Sequence, residues 1–284
     1  MSTTLISADQ LSADDFERLA AFIQEYSGIK MPASKKTMVE GRLRRRIRAV
    51  GLETFADYCC YLFNEGGLAD ETVPLIDAVT TNKTDFFREP THFQYLAETA
   101  IPELWASNSI SRHTPLKVWS AACSTGAEAY TMAMVLAEVA RSLPDLRASI
   151  LATDISMEVL KTAAQGIYPE SFIEPIPMEM RRRYLLRSKT GRGDRVRIIP
   201  ALRRCIEFGW INLIRQPYNV AEDMHIIFCR NVLIYFDKPT QAQVVAEFCR
   251  HLRPGGYLVL GHSENLPGTG LPLELVATTV FRRV

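Results

Sequence analysis

The sequence predicts an all-helical N-terminal region followed by an α/β domain on a mostly parallel sheet, with a small antiparallel β-subdomain inserted in it. Three observations predict this. Apolar residues recur at helical spacing through residues 1–80. From residue 116 onward, short apolar strands alternate with helical stretches, the pattern of a parallel sheet covered on both faces. One segment, 181–205, interrupts that alternation with a turn-rich hairpin around Thr190-Gly191-Arg192-Gly193-Asp194.

The helical elements come first. Ser12 is a good N-cap with Asp15 three positions on. Phe16, Leu19, Ala20 and Ile23 then form one apolar face, and Gly28 ends the helix. A second helix is expected over 34–50, with Val39, Leu43, Ile47 and Val50 as its buried stripe and Gly51 as its stop. A third carries Phe55, Tyr58, Leu62 and Phe63, and a fourth Leu75, Ile76 and Val79. Residues 81–92, TNKTDFFREPTH, are polar around a Phe86-Phe87 pair and read as a linker or active-site segment.

Strands are expected at 116–123, 149–154, 205–212, 225–231, 257–263 and 273–284. Helices are expected after the first strand through Met132, Leu136 and Val139, then at 156–164, and at 239–252 with a stop at Pro254-Gly255-Gly256. The domain limits are therefore 1–80, a linker at 81–92, and 93–284 with a β-subdomain at about 181–204.

Composition narrows the function. The chain has 284 residues, 47% apolar and 23% charged, enough for one large or two modest globular domains. Net charge is +1, so electrostatic recognition must come from local clusters. The six cysteines form no C-x-x-C pair and read as buried free thiols in a reducing cytoplasm. The five histidines are scattered, and no metal site is expected. The first residues lack the basic and apolar regions of a secretory signal, and no apolar run is long enough to span a membrane.

In an open parallel sheet, ligands bind beyond the C-terminal ends of the strands. The first strand ends in SAACSTGAEAY, small residues with Gly126 that allow close backbone approach, without the G-x-G-x-x-G of dinucleotide folds. The second ends in Asp154, which suits a ribose diol and equally suits a helix N-cap. The fourth ends in Cys229-Arg230-Asn231, followed by Tyr235, which reads either as a site residue or as core beside Ile234 and Phe236.

Taken together, TTNKTDFFRE (80–89), VWSAACSTGAEAY (118–130), ATDIS (152–156), Ile211-Asn212-Leu213, IIFCRNVLIYFD (226–237), LRPGGYL (252–258) and GHSEN (261–265) resemble the CheR family of chemotaxis receptor methyltransferases. The resemblance runs through nearly the whole chain in order. It implies a Rossmann-like class I methyltransferase domain with an inserted β-subdomain, preceded by an all-α domain. It implies S-adenosyl-L-methionine as methyl donor, S-adenosyl-L-homocysteine as product, and glutamate side chains of chemoreceptors as acceptors.

By position, the resemblance places Asn82, Thr84 and Arg88 at the methionine end of the cofactor and Glu128 on its amino group. Asp154 takes the ribose hydroxyls, and Asn212 and Leu213 frame the adenine. Arg230 and Tyr235 line the pocket, with Tyr235 and Arg88 nearest the transferred methyl. Where the family usually carries Glu-Glu-Pro, this chain has Ala127-Glu128-Ala129, so the turn has lost a charge and a proline.

The second helix carries Arg42, Arg44, Arg45, Arg46 and Arg48. With Leu43 at the centre of the apolar stripe, all five fall outside it, and Arg45 and Arg48 lie nearly opposite. Such a cluster is a solvated face or a face for an acidic partner. The resemblance implies that Arg42, Arg45, Arg46 and Arg48 dock the acidic methylation helix of the receptor's cytoplasmic domain. In some family members the β-subdomain also binds a receptor C-terminal peptide, and the 184–199 hairpin is a candidate to add a strand from one. Three rivals are weaker. An RNA methyltransferase would use the arginine helix on phosphates, a cofactor sensor need not keep Arg88 and Tyr235, and a nicotinamide dehydrogenase would need the missing glycine fingerprint. Neither nucleic acid nor membrane insertion is expected.

Overall fold

The computed structural model describes residues 9–187, 194–266 and 270–284. It divides into two compact units, Met1–Thr81 and Asn82–Val284.

Among its described residues the first unit has four α-helices: α1 (Ala13–Ser27), α2 (Lys36–Ala49), α3 (Phe55–Asn64) and α4 (Leu68–Val79). The Ser12 side chain accepts from the Asp15 amide at 3.0 Å, and Gly28 closes α1 with φ 74°, a conformation glycine adopts without strain. Thr54 caps α3 in the same way through the Asp57 amide. Phe16, Leu19, Ile23, Val39, Leu43, Ile47, Phe55, Tyr58 and Leu62 are buried, so the stripe spacing in the sequence is the spacing of the core.

The arginines of α2 divide into two sets. Arg42 donates to the Val79 and Thr80 carbonyls at 2.6 and 2.7 Å and to Thr81 Oγ1, occupying the carbonyl end of α4. Arg46 pairs with Glu71, a carboxylate only 4% exposed that also accepts from the Tyr58 hydroxyl at 3.0 Å. Arg44 lies over the Phe55 ring and donates to the Asp9 carbonyl. Arg45 and Arg48 are exposed. Within the expected four-arginine face, Arg42 and Arg46 are therefore also engaged by the helical unit itself, because a long side chain at the stripe's border reaches a neighbouring helix as readily as solvent.

The second unit opens with α5 (Pro90–Tyr95), a π-helical turn at Leu96–Ala100, and α6 (Ile101–Ala106). Then follow β1 (Leu116–Ala121), α7 (Ala127–Ser142), β2 (Ala148–Asp154), α8 (Met157–Gln165), β3 (Ile167–Pro169), α9 (Met178–Tyr184), β4 (Leu185–Arg187), β5 (Arg195–Ile198), α10 (Pro200–Arg203), β6 (Ile206–Trp210), β7 (Met224–Cys229), α11 (Lys238–His251), β8 (Leu252–Leu260), β9 (Leu273–Ala277) and β10 (Val280–Arg283).

The main sheet has the order β6-β2-β1-β7-β8-β10-β9. Its first five strands are parallel, with β1 and β7 almost wholly buried, and β10 runs antiparallel to both β8 and β9. The chain moves outward from β1 to β2 and later returns to the other side of β1 with β7. That reversal opens a crevice at the carboxyl ends of β1 and β7.

Three expectations are corrected. Residues 273–284 form a hairpin rather than one strand, with the turn at Thr279 (φ 52°). The helix ends at His251, and Pro254-Gly255-Gly256 lies within β8, because a register shift between Met224 and Ile226 lets the sheet pass the proline. Among the described residues the inserted subdomain has three strands, order β3-β5-β4, and residues 181–184 belong to α9. Its turn at 190–193 lies outside the described residues.

Candidate active site

The parallel register brings the ends of β1, β2, β6 and β7 to one edge: Ala121 pairs with Thr153, and Asp154 with Trp210. Most of the expected site residues lie just beyond these ends.

The β1–α7 turn is tight. Ala122 and Ser124 have φ of 64° and 51°, and Gly126 has φ 87°. A Cβ on Gly126 would lie 2.8 Å from Ala163 Cβ and 3.2 Å from the Tyr168 hydroxyl, so only glycine fits. Asp154 fastens this turn to the next one. Its Oδ2 accepts from the Ser124 amide at 2.8 Å and its Oδ1 from the Ser156 amide at 2.9 Å. The cap of α8 is Ser156, whose side chain accepts from the Val159 amide. Asp154, 6% exposed, therefore serves the loops at the strand ends rather than the helix.

The segment before α5 folds over the same edge. Ser124 Oγ donates to the Asn82 carbonyl at 2.9 Å, and the Phe87 amide donates to Thr131 on α7. Phe86 is fully buried against Tyr168 and Phe172, which fixes the polar residues around it. Thr84 is half-buried, as is Arg88, which donates to the Lys83 carbonyl. Phe87 and Glu89 both have positive φ, 52° and 55°, a strained path held by tertiary contacts.

Arg230 is the hub. Its side chain is 2% exposed, with Nη1 3.0 Å from Glu128 Oε2 and Nη2 2.9 Å from Glu89 Oε2. It also donates to the Arg88 carbonyl and lies over the Phe93 ring at 5.3 Å. Glu128, in the first turn of α7, accepts from Ser120 Oγ at 2.6 Å. Burial alone would raise the Glu89 carboxyl, but hydrogen bonding and charge from Arg230 hold it below the usual glutamate value. Ala127 and Ala129 are fully buried in the core, so Glu128 supplies the first-turn charge of α7.

On the adenine side of the expected pocket, Asn212 and Leu213 are buried. The Ile211 amide donates to the Asp154 carbonyl, Asn212 Oδ1 accepts from the Ile214 amide, and the Tyr218 hydroxyl donates to the Leu213 carbonyl. Trp210, 43% exposed, donates through its ring N–H to the Ile155 carbonyl beside Asp154. Tyr235 ends a 3-10 turn, Leu233–Tyr235, and is half-buried between exposed Ile234 and buried Phe236.

Sequence reasoning missed Glu89, Glu264 and His92. The first two lie inside quoted motifs, FFRE and GHSEN, but their work is on backbone and on Arg230, which no spacing announces. The histidines are less scattered in space than in sequence. Glu89, His92 and His262 place one ligand atom each within 4.8 Å of one another. The Glu89 carboxylate is nonetheless committed to Arg230, Asn231 Nδ2 and the His262 amide.

His92 is 2% exposed, with Nε2 3.0 Å from Thr279 Oγ1. Burial, then the Arg230 charge, lowers its pKa from 6.5 to about 4. The folded state therefore keeps the ring neutral where the unfolded chain would protonate it. Its contribution is complete above pH 6.5 and is lost as pH falls toward 4, amounting to about 3 kcal/mol. Thermal unfolding across that window is expected to fall more steeply for the native protein than for His92→Gln. Parallel curves would refute the assignment.

The donor set suits a cationic, ribose-bearing ligand: carboxylates stand at the ends of β1 and β2, with buried polar groups beyond β6. Comparison with known proteins decides the family. A model of the CheR methyltransferase S-adenosylmethionine-binding domain matches residues 82–281, and one of the CheR all-alpha domain matches residues 14–80. The chain belongs to the CheR methyltransferase family. It is 39% identical over 268 residues to chemotaxis protein methyltransferase 2 of Pseudomonas aeruginosa, covering 94% of this chain and 92% of that one. It is 39% identical to the chemotaxis protein methyltransferase of Salmonella typhimurium (95% and 90% covered) and 36% to that of Escherichia coli (95% and 91%). This CheR-family protein is thus an S-adenosylmethionine-dependent methyltransferase with an all-α domain ahead of its catalytic domain.

Proposed function

We propose that this CheR-family enzyme methylates glutamate side chains on the cytoplasmic helical domain of chemoreceptors, forming glutamyl methyl esters in sensory adaptation. One observation carries the reading. Each of the four carboxylates described around the strand ends is engaged: Glu89 and Glu128 on Arg230, Asp154 on two backbone amides, and Glu264 on three. None is poised as a general base, which suits an acceptor that is already an anion.

A glutamate side chain has a reference pKa of about 4.3 and needs no base at neutral pH. S-adenosylmethionine supplies an electrophilic methyl on a sulfonium. The incoming carboxylate and that cation lose charge together, so a partly dry pocket favours transfer. The protein's task is alignment. We assign it to Arg88 and Tyr235, with Asn82, Thr84, Glu128, Asp154, Asn212, Leu213 and Arg230 holding the cofactor. Arg88 must hold the carboxylate loosely, since tight ground-state binding would slow the step.

We assign receptor docking to Arg45 and Arg48, the exposed pair on α2. The double reversal Arg45→Glu/Arg48→Glu is expected to lower receptor methylation at least about tenfold and to flatten its salt dependence. S-adenosylhomocysteine binding, measured alongside, reports on the methyltransferase unit. Unchanged receptor methylation would sink the docking role. Arg181, Arg182 and Arg187 line a cavity of about 420 Å³ beside β4, an outer strand of the small sheet, and support a receptor C-terminal peptide there. We place the protein in the cytoplasm, where the receptor helices lie. Among the described residues no helix is long and apolar enough to cross a membrane.

The test of the reaction is transfer of radiolabelled methyl to receptor cytoplasmic fragments, followed by alkali. Label released as methanol is expected from a carboxyl methyl ester. Cofactor binding with no base-labile label on any receptor would overturn the substrate.

A further inference from the structure

Glu264 lies just past β8 and is 3% exposed. A carboxylate this buried should be hydrogen-bonded, and the partners here are backbone. Its Oε2 accepts from the Gly261 amide at 2.7 Å and the Asn231 amide at 2.9 Å, and its Oε1 from the Leu233 amide at 2.7 Å. Burial raises its pKa, and the amide hydrogen bonds from Gly261, Asn231, Leu233 and Val232 oppose that rise.

These amides belong to two separate turns. One follows β8. The other follows β7, begins at Arg230, passes through Asn231 with φ 59°, and delivers Tyr235 through the Leu233–Tyr235 3-10 turn. The two turns pack without slack. A Cβ on Gly261 would lie 2.5 Å from Asn231 Nδ2, 2.8 Å from the Asn231 amide nitrogen and 2.9 Å from Glu264 Oε2. Orphan amides of a strand-end turn have no regular partner of their own, and one anion gathers them.

We infer that Glu264 is a positioning residue for methyl transfer, holding the 233–235 turn so that Tyr235 is set at the cofactor edge. The inference rests on the reading of Tyr235 as the residue beside the transferred methyl. The Leu233 amide that Glu264 holds lies in the turn that carries Tyr235, so its effect falls on the chemical step. In Glu264→Gln the amide oxygen can keep the Gly261 and Asn231 bonds, while the NH₂ group faces the Leu233 N–H and releases the turn that carries Tyr235.

The experiment is a double-mutant cycle on the full-length enzyme with a receptor fragment as acceptor. Glu264→Gln is expected to lower kcat by about 10- to 100-fold while the KM for S-adenosylmethionine stays within about twofold. Tyr235→Phe is expected to lower kcat as well. In the double variant the Glu264→Gln effect should shrink, because the turn no longer carries the hydroxyl it was holding. Glu264→Asp, which keeps the anion, should recover part of the loss. Gly261→Ala, which wedges the same turns apart, should copy Glu264→Gln.

Full additivity of the two single effects, or a rise in KM matching the fall in kcat, would overturn the positioning role. An inert Tyr235→Phe beside a damaging Glu264→Gln would instead overturn the placement of Tyr235. Binding of S-adenosylhomocysteine by each variant shows that it is folded.

Discussion

Replacing Arg230 with Met will destabilise the methyltransferase unit by about 3–5 kcal/mol, the cost of breaking a buried ion cluster from one side. The guanidinium is 2% exposed and lies between Glu89 and Glu128, whose side chains are 14% and 12% exposed. Removing it leaves two partly buried carboxylates near one another with no cation between them. Methionine fills a similar volume over Phe93 and Phe228, so little of the loss is packing. For a unit of this size the shift is roughly 10 °C or more in the melting temperature. Thermal unfolding with and without S-adenosylhomocysteine measures it. The variant should also lose most of its cofactor stabilisation, because Glu128 and the Arg88 carbonyl both rest on Arg230. A melting temperature within a degree of the native protein would contradict the clamp. The double variant Arg230→Met/Glu89→Gln should regain stability relative to Arg230→Met, since it removes one of the stranded charges.

The second large effect is expected from Asp154→Asn. The native carboxylate accepts from the Ser124 and Ser156 amides, one on each oxygen. Asparagine has one acceptor oxygen, and its NH₂ must face the other N–H, so one of the two turns is released. Hydrogen bonds to a charged acceptor are worth roughly 1.5–3 kcal/mol. The anion proposed to receive the ribose hydroxyls is lost as well. Affinity for S-adenosylhomocysteine is expected to fall at least about 100-fold, read by calorimetric titration. Asp154→Glu should bind poorly too, because the longer side chain displaces the Ser124 turn. Native affinity in Asp154→Asn would mean that the ribose is held elsewhere.

Much of this was legible beforehand, and the reasons are local. Ser12 and Gly28 bound α1 because capping and positive φ are properties of single residues. The strand ends at Asp154 and near Arg230 were readable because buried parallel strands are apolar runs that polar residues terminate. The same reasoning stopped a helix at Pro254-Gly255-Gly256, where the chain was already in β8. A proline and two glycines report only their own backbone preferences, and the neighbouring strand supplied pairing that local rules do not include.

The sequence alone determined the family, the helical region ahead of the α/β domain, the inserted β-subdomain and the identity of the residues at the strand ends. These follow from periodicity, caps and ordered motifs, all carried by near neighbours in the chain. Only the tertiary structure decided which charges meet. It turned Arg42 and Arg46 inward to α4 and Glu71 and left Arg45 and Arg48 to solvent. It closed Arg230 between carboxylates from two distant segments, and it gave Glu264 the amides of two turns. The physical reason is that a buried polar group must find a partner wherever the fold brings one. That partner is set by the packing of whole elements and not by spacing along the chain.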